Sequence, residues 1–388
     1  MNIGIDARLF GTYHRGIGRY TEQLILGLSK IKDNNQYTLF LREKDSQQIN
    51  LDKGKFKIVV ADAKHYSIEE QMMMPWFIKQ SKVDIMHFTH LNVPIFCPVP
   101  FAVTIHDLIV HHFPDSRATN LPNWKYKLKV MAYHIILKNA VKKARSIIAV
   151  SEFTKRDIVR HLGTDERKIK VCYPGVEKMI LGTEKMQNTP QFSEMLSKKF
   201  GIKKQYLLYA GAAYPHKNLE RLIDAYKIIR AKYNRNWQLV LVGREDEFYK
   251  RLKQYVAHAV DDEQALQDII FTNHVTDKDL DGLYRGAKLF VFPSLYEGFG
   301  LPPLEASQRA TAVACSQASS LPEIMSDSAY YFDPKDVESM ARAINKAAGN
   351  HSINNELALR GIERAKQFSL DKMAQETSNI YESLFRKG

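Results

Sequence analysis

Two glutamates in the stretch PSLYEGFGLPPLEA (293–306), Glu297 and Glu305, are separated by seven residues. The apolar run KLFVF (288–292) before them predicts a strand, and helix-compatible residues follow Pro303. One carboxylate is therefore expected in a glycine turn at the carboxyl end of a strand, and the other about one turn into the next helix. In an open α/β sheet, this edge is where ligands bind.

The groups expected at this turn match two chemical features of a ligand. Backbone N–H groups at the start of a helix lack intrahelical partners and favour phosphate, whereas carboxylates accept hydrogen bonds from hydroxyl groups. A pocket for phosphate and hydroxyl groups together predicts a nucleotide sugar. The structural alternative for Glu305 is a carboxylate that only complements the positive end of the helix dipole.

A second candidate is Lys217, which follows a predicted strand and a glycine turn in YAGAAYPHKNLERLI (209–223). His216 and Asn218 flank it at the start of a predicted helix. The helix dipole is positive there, so a cation is poorly placed unless an anion binds beside it. Lys217 is therefore predicted to neutralise a diphosphate leaving group, the alternative being a solvated lysine.

Glycines follow the first predicted strand in GTYHRGIGRYTEQL (11–24), where Gly16 and Gly18 allow the backbone to approach a ligand. The helix is predicted to begin just beyond, at residue 17. Thr21 stands where a dinucleotide-binding fingerprint needs a third glycine, so that interpretation is weak. A sharp turn that merely needs glycine is the alternative.

His106 and Asp107 lie just past the predicted strand FAVTI (101–105), again at the edge of a sheet where ligands bind. A histidine there can bond a sugar hydroxyl or move a proton, although a lone histidine is more often structural. His111 and His112 are adjacent, which is a poor spacing for metal ligands compared with i, i+4.

The acidic residues of TDKDLDGL (276–283) resemble a metal-binding triplet, but they begin a predicted helix with Thr276 as a good N-cap. Acidic side chains are favoured in the first turn of a helix by capping and by the dipole. The sequence therefore predicts no metal site and no other cofactor.

The bulk composition is that of a globular protein without a membrane-spanning segment. The 388 residues exceed one ordinary core and predict two domains. Hydrophobic residues make up 45% and charged residues 26%, and no apolar run is long enough to cross a bilayer. The chain opens directly as a strand, and its three scattered cysteines form no disulfide pattern. These features predict a cytoplasmic protein.

The net charge of +13 is concentrated in the first half, since residues 1–175 contribute a surplus of 11. A one-sided basic domain implies an anionic partner. The predicted helix 124–143 interleaves lysines with aromatic residues, as a helix on anionic lipid headgroups does, but a solvated basic face looks the same. The sequence contains no recognised RNA or DNA module, so no nucleic-acid partner is expected.

Short apolar runs alternate with amphipathic stretches along the chain, which is the βαβ pattern of doubly wound parallel sheets. Polar residues with glycine and proline interrupt this pattern in the predicted linker 177–200. The prediction is an α/β protein with one Rossmann-like domain in 1–176 and a second in 201–368. The simplest arrangement has the two domains facing one another across a cleft.

These motifs together resemble glycosyltransferase family 4. The stretches that carry the resemblance are EGFGLPPLE, AGAAYPHKN, AVSEFTKRDI (149–158), YPGVE (173–177) and SSLPEI (319–324), in the family's order over essentially the whole chain. The resemblance implies a GT-B fold and a retaining, metal-independent transfer from a nucleotide-sugar donor. The segments EEQMMMPWFI, DIMHF and VTIHDLI look most like bacterial mannosyltransferases of the family, which implies GDP-mannose as the donor.

The resemblance also implies a role for each matching residue. Glu297 would contact the donor sugar, and Glu305 would hold the ribose. Lys217 would bind the diphosphate, and His106 would contact the transferred sugar near the reacting carbon. The helix 369–388 would return to pack on the first domain. The further predicted donor contacts are Gly16, Gly18, Asn218, Val275, Phe299, Gly300 and Leu301.

One position departs from the family pattern. Ala212 follows Gly211, where many relatives have an arginine that supplies a second cation for the diphosphate. Arg244, after the predicted strand WQLVLV (237–242), is a candidate replacement by position.

The implied acceptor is a hydroxyl of a growing glycan linked to a lipid diphosphate. An anionic membrane surface is the expected partner of the basic first domain, which places the enzyme peripherally on the inner face of the plasma membrane. A UDP-sugar or other nucleotide-sugar donor remains an alternative. So does a nucleotide-sugar epimerase or a phosphorylase on the same fold, because a fold alone does not determine chemistry.

Overall fold

The computed structural model describes residues 1–11, 15–47, 49, 51–113, 123–176, 190–260 and 262–386. The chain divides into two compact units, of which the first comprises Met1–Lys178 with Phe368–Gly388 and the second Met179–Gln367. Each unit is built on one parallel sheet. The predicted α/β fold with two Rossmann-like, doubly wound domains is confirmed.

The sheet of the first unit has the strand order β3-β2-β1-β4-β5-β6-β7. Its strands are β1 (Asn2–Asp6), β2 (Gln36–Leu41), β3 (Phe56–Val60), β4 (Ile85–Phe88), β5 (Phe101–Ile105), β6 (Ser146–Ala149) and β7 (Ile169–Val171). Its helices are α1 (Arg15–Lys30), α2 (Glu43–Ser46), α3 (Ile68–Gln80), α4 (Ile109–His112), α5 (Asn123–Lys143) and α6 (Glu152–Leu162). The order reverses between β1 and β4, which makes their carboxyl ends the switch point of the sheet.

The sheet of the second unit repeats this arrangement with the order β10-β9-β8-β11-β12-β13. Its strands are β8 (Tyr206–Ala210), β9 (Gln238–Val242), β10 (Ile269–Asn273), β11 (Leu289–Phe292), β12 (Val313–Ser316) and β13 (Ala329–Phe332). Its helices are α7 (Pro190–Phe200), α8 (Leu219–Tyr233), α9 (Glu247–Ala259), α10 (Glu263–Asp268), α11 (Asp277–Gly286), α12 (Leu301–Gln308), α13 (Leu321–Met325), α14 (Val337–Gly349) and α15 (His351–Ala365). The switch point lies at the carboxyl ends of β8 and β11.

The central strands are covered on both faces, and their sequences show it. Every residue of β5, β8 and β9 is buried, so these strands are continuous apolar runs with no alternation of polar residues. Several helices begin at a side-chain cap, such as Ser67 before α3 and Ser151 before α6. Thr276 and Asp279 form a reciprocal capping box at the start of α11, which accounts for the acidic residues there.

The last helix, α16 (Leu370–Arg386), packs on the first unit. The hydroxyl of Tyr381 lies 2.6 Å from Nδ1 of buried His87 on β4. A Cβ on Gly27 of α1 would come within 2.7 Å of the Cβ of Ala374, so glycine at this position allows the two helices to meet closely. The first unit is therefore completed by a segment that follows the whole second unit.

The predicted linker 177–200 differs from the structure at its carboxyl end. Residues 190–200 form α7, whose Phe192 and Leu196 are buried in the second unit. The polar sequence hides this helix because only one narrow side of it is apolar. Residues 177–189 lie outside the described part of the chain.

None of the described helices is both long enough and apolar enough to cross a membrane.

Candidate active site

Lys217 and Glu297 meet at the switch point of the second sheet. Lys217 follows β8 and Glu297 follows the neighbouring strand β11. The ammonium nitrogen of Lys217 is 2.5 Å from Oε1 of Glu297, and the two side chains are only 17% and 11% exposed. The same nitrogen lies 5.6 Å from the centre of the Phe292 ring. The site therefore contains a mostly buried ion pair at the place in the fold where ligands bind.

The turn that carries Lys217 is held by Asn218. Lys217 ends a short 3₁₀ turn, and Asn218 follows it with a left-handed backbone (φ 64°). The Asn218 amide donates to the carbonyls of Pro293, at 3.1 Å, and Pro334, at 2.7 Å. Its oxygen accepts a hydrogen bond from Arg221 at 2.8 Å. The predicted donor contact Asn218 thus directly follows Lys217, and its side chain joins the loops after β8, β11 and β13.

The turn that carries Glu297 is held by two serines of the SSLPEI stretch. The Glu297 N–H donates to Oγ of Ser319 at 2.9 Å. The Ser320 hydroxyl donates to the carbonyls of Glu297 and Phe299 at 3.0 and 2.9 Å. Phe299 is buried and Gly300 has a φ of 102°, which only glycine adopts readily. These bonds fix the backbone of the predicted donor contacts.

The helix after this turn begins earlier than the sequence predicts. It starts at Leu301, with Pro302 and Pro303 in its first turn, where proline is well accommodated. Proline has no N–H, so Gly300 and Leu301 carry the N–H groups that this helix start offers to a phosphate. The predicted role of this helix start in binding phosphate stays a prediction, and fewer N–H groups are available for it because of the two prolines.

Glu305 lies on α12, with a hydroxyl beside its carboxylate. Tyr284 on α11 donates to its Oε2 at 3.1 Å, and the Glu305 side chain is half-buried. The Arg309 guanidinium donates to the Glu305 carbonyl at 2.7 Å and lies 5.1 Å from the centre of the Tyr284 ring. A carboxylate oriented in this way is suited to accept hydrogen bonds from a diol. Tyr284 belongs to none of the motifs, so the sequence does not predict its contact with Glu305.

Ala212 and Arg244 follow neighbouring strand ends. Ala210, the last residue of β8, pairs with Val242, the last residue of β9. Gly211 donates to the Val242 carbonyl at 2.9 Å, which keeps the two loops side by side. Arg244 is exposed two residues beyond β9. Its location is consistent with the predicted second cation, which stays a prediction.

Val275 is half-buried in the loop between β10 and α11, at the same carboxyl edge of the second sheet. Its side chain is apolar, and its predicted contact with the donor stays a prediction.

In the first unit, His106 directly follows β5. Its Nε2 lies 2.8 Å from the carbonyl of Thr89, so this nitrogen carries the proton and donates it. Burial lowers the pKa of His106 to about 4, although the hydrogen bond to Thr89 opposes the shift. The Tyr20 ring meets the imidazole edge-on at 4.7 Å. His106 is therefore neutral at pH 7, with Nδ1 as its acceptor nitrogen.

The predicted glycine loop differs from the structure. Gly16 and Gly18 lie in the first turn of α1, which begins at Arg15 rather than at residue 17. Gly16 is exposed, with open space where a Cβ would stand, and Gly18 is buried. Residues 12–14 lie outside the described part of the chain, so the prediction that this segment contacts a ligand is untested.

A charged cluster that the motifs do not predict lies at the switch point of the first sheet. Arg8, just past β1, pairs with Asp6 at 2.7 Å and with Glu70 of α3 at 2.6 Å. His90, just past β4, has a pKa lowered to about 3, chiefly by burial and further by the neighbouring His106, His65 and Arg8. The signal for this cluster is present in the sequence as an arginine two residues after the predicted strand NIGID.

Two doubly wound parallel-sheet domains, one of which holds a lysine and a glutamate together at its switch point, are the architecture of the GT-B class. Two family models match the chain. "Glycosyltransferase Family 4" matches residues 14–178, and "Glycosyl transferases group 1" matches residues 193–368. The chain belongs to glycosyltransferase family 4, as its motifs predict.

Known proteins resemble the chain along its length. It is 27% identical to O-antigen chain mannosyltransferase B of Escherichia coli, over 95% of this chain and 96% of the relative. It is 28% identical to O-antigen chain mannosyltransferase RfbU of Salmonella typhimurium, over 69% of this chain and 65% of the relative. Sucrose-phosphate synthase from Thermosynechococcus elongatus, at 16% identity, matches the whole of both chains with a TM-score of 0.75, which shows a shared fold.

Proposed function

We propose that this glycosyltransferase moves mannose from GDP-mannose onto a hydroxyl of a growing surface glycan. The observation that carries the proposal is the likeness over nearly the whole chain to an enzyme named as an O-antigen mannosyltransferase. GDP as the nucleotide rests on the family resemblance of the segments EEQMMMPWFI and VTIHDLI.

The ion pair at the second switch point supports a role for both side chains in donor binding. We infer that the diphosphate of the donor replaces Glu297 as the ion-pair partner of the Lys217 ammonium. The Glu297 carboxylate is then available to accept hydrogen bonds from hydroxyls of the sugar. This exchange keeps each buried charge paired, which matters because a buried charge without a partner is costly. Binding of the diphosphate is thereby coupled to recognition of the sugar.

The transfer breaks the bond between the anomeric carbon and the diphosphate oxygen, and forms a bond from that carbon to the acceptor oxygen. Negative charge develops on the diphosphate, and Lys217 stabilises it electrostatically, which is usually the largest catalytic effect. The diphosphate leaves and the acceptor hydroxyl attacks on the same face of the sugar, so an oxygen of the leaving phosphate can take the proton of that hydroxyl. The configuration is then retained, and this scheme uses no metal ion.

His106 is suited to orient the sugar rather than to deliver a proton. Its lowered pKa keeps the imidazole neutral, and Nε2–H is engaged by the carbonyl of Thr89. We propose that Nδ1 of His106 accepts a hydrogen bond from a hydroxyl of the transferred mannose.

The donor and the stereochemistry are tested together. Thermal unfolding is measured with GDP, UDP, ADP and their sugars, and the product formed on a lipid-diphosphate-linked acceptor is analysed by NMR with and without EDTA. The expected results are stabilisation by GDP and GDP-mannose, of about 2.7 kcal/mol at 100 times Kd, and an α-linked product that EDTA does not reduce. Stabilisation by UDP instead would contradict the donor, and a β-linked product would contradict retention.

We further propose that the acceptor is presented at an anionic membrane on the inner face of the plasma membrane. Helix α5 carries Trp124, Leu128, Met131 and Ile135 at i, i+4, i+7 and i+11, each more than half exposed. Exposed lysines of the same helix flank this apolar stripe. A stripe of this kind with basic borders is typical of a helix that lies in a headgroup layer.

The membrane proposal is tested by co-sedimentation with vesicles of neutral lipid and of neutral lipid with anionic lipid. The wild type is expected to sediment with the anionic vesicles and to be released by high salt, and W124S/L128S is expected to sediment less. A matched control is L359S, which removes an equally exposed leucine from α15 of the second unit. Sedimentation that is independent of lipid charge, or unchanged in W124S/L128S, would contradict the proposal.

A further inference from the structure

A cluster of histidines lies between α4 and α6 in the first unit, outside the residues assigned to sugar transfer. Nε2 of His112 is 2.8 Å from Oδ2 of Asp157, and Nε2 of His161 is 3.3 Å from Oδ1 of the same carboxylate. One candidate ligand atom from each of these three residues lies within 4.8 Å of the other two. Nε2 of His111 is 3.2 Å from Nδ1 of His161.

The fold brings together potential metal ligands that are far apart or poorly spaced in the sequence. The adjacent histidines 111 and 112 are poorly spaced as metal ligands by themselves. Asp157 and His161, however, are i and i+4 on α6 and lie on one face of that helix. His112, at the end of α4, adds the third group from the other side. The three side chains are 45 and 4 positions apart in sequence and share one small volume.

The chemistry of the cluster suits a transition-metal cation. Two imidazoles and one carboxylate are common ligands of Zn²⁺, and tetrahedral bonds of 2.0–2.1 Å separate two ligand atoms by about 3.3 Å. The Asp157 side chain is nearly buried, while those of His112 and His161 are 25% and 27% exposed, so an ion can reach them from solvent.

We propose that His112, Asp157 and His161 bind one divalent transition-metal ion of the zinc class. In this site, Nε2 of His111 accepts a hydrogen bond from Nδ1–H of His161. This bond orients the His161 ring so that Nε2 of His161 faces the ion, as hydrogen-bond partners of metal-bound histidines do.

The ion has a structural role in the first unit. It joins α4 to α6, and both helices adjoin His106. Helix α4 begins three residues after His106, and Thr154 of α6 donates to the His106 carbonyl at 3.4 Å. The metal holds the loop that carries His106 and takes no part in breaking the bond to the diphosphate.

The test uses the full chain, freed of metal by a chelator and then titrated with Zn²⁺ in competition with a chromogenic chelator. One equivalent is expected to bind, and Co²⁺ is expected to give the visible absorption of a four-coordinate site. H112Q and H161Q are each expected to weaken binding by at least about tenfold. H258Q, which removes an exposed histidine of α9 in the second unit, is the control and should bind as the wild type does.

Thermal unfolding supplies a readout that is independent of sugar transfer. Zn²⁺ is expected to raise the Tm of the wild type and of H258Q, and to leave the Tm of H161Q unchanged. H161Q replaces a partly exposed side chain near the end of α6, and circular dichroism checks that it folds. Absence of stoichiometric Zn²⁺ binding to the wild type, or equal binding by folded H161Q, would overturn the proposal.

Discussion

The two sheets of this protein place ion pairs at the same topological position and use them differently. At the first switch point, Arg8 is fully buried between Asp6 and Glu70 and also donates to the carbonyl of Ala63 at 3.2 Å. At the second switch point, Lys217 pairs with Glu297 and both side chains keep some access to solvent.

The difference lies in how the charges are satisfied. Burial raises the pKa of Asp6, but attraction and hydrogen bonds from Arg8 outweigh it and leave the pKa lowered. Burial is the larger effect at Glu70, whose pKa is raised. The planar guanidinium is bonded on several sides, so it is fixed in place. A lysine is a compact charge on a flexible chain, and it can exchange one anion for another. We therefore infer a rigid support at the first cluster and, in line with the proposed function, an exchangeable ion pair at the second.

The largest effect is expected from R8A. It leaves two carboxylates in the first unit without their cation, and breaking a buried ion pair in this way costs roughly 3–5 kcal/mol. Urea denaturation should show a correspondingly lower free energy of unfolding. R167A, which removes an exposed pair with Asp165, is the control and should leave the unfolding midpoint unchanged. A small effect of R8A would show that the first cluster is not a rigid support.

K217A should lower kcat by about 10²-fold, which corresponds to roughly 2.7 kcal/mol of transition-state stabilisation. K335A removes an exposed lysine of the second unit and should leave kcat unchanged. An unchanged kcat in K217A would count against the assignment of the leaving-group cation.

The double variant K217M/E297Q sharpens the comparison. Replacing both members of a mostly buried pair by neutral groups is often neutral for stability, whereas removing one member is not. We expect an inactive protein whose free energy of unfolding stays within about 1 kcal/mol of wild type. A loss as large as that of R8A would show that the second pair is a structural element as well.

Acid should destabilise the first unit more than the second. His87 and His90 have a pKa lowered to about 3, and His106 to about 4, chiefly by burial, while His216 in the second unit is lowered to about 4. An unfolded histidine titrates near 6.5, so between about pH 6.5 and 4 the unfolded chain binds more protons than the folded one. Stability therefore falls as the pH falls through that window.

Hydrogen exchange at pH 7 and pH 5, read separately for the two units, measures this difference. The amides of β4 and β5 should lose protection more steeply than those of β8 and β11. H106N should reduce the pH dependence of the first unit. Equal losses in both units would contradict the expectation.

The smallest effect is expected from Y284F at the second site. It removes the hydroxyl that donates to Glu305 and should raise the KM for the donor about fivefold, equivalent to roughly 1 kcal/mol. Y233F on α8 is a matched control. A change in kcat without a change in KM would argue against ribose binding by Glu305.

Much of this architecture could be predicted from sequence because its signals are local. Fully buried strands such as β8 and β9 are continuous apolar runs, and the long helices have clear amphipathic patterns. The loops after β8 and β11 also had signals, since a glycine turn after a strand is a local feature. The sequence therefore predicts Lys217 and Glu297 as site residues separately, each from the loop in which it lies.

Contacts between distant residues could not be predicted in the same way. The pairing of Lys217 with Glu297 joins residues 80 apart, and that of Arg8 with Glu70 joins residues 62 apart. Both depend on strand order, which no local pattern specifies. The sequence does not predict α7, because the apolar side of this helix consists of few residues within a polar segment. It does not predict the early start of α12 either, because two prolines suggest a break, although a first helical turn accommodates them.

The return of α16 to the first unit bears on how the protein is made. A nascent chain that has reached residue 367 holds every residue of the second unit, but it still lacks Tyr381 and Ala374, which cover His87 and Gly27. The amino-terminal half, although synthesised before the second unit, is completed only by a helix that is synthesised after it. We therefore expect the second unit to be able to complete its own fold first, while the buried surface of the earlier half stays uncovered for longer during synthesis.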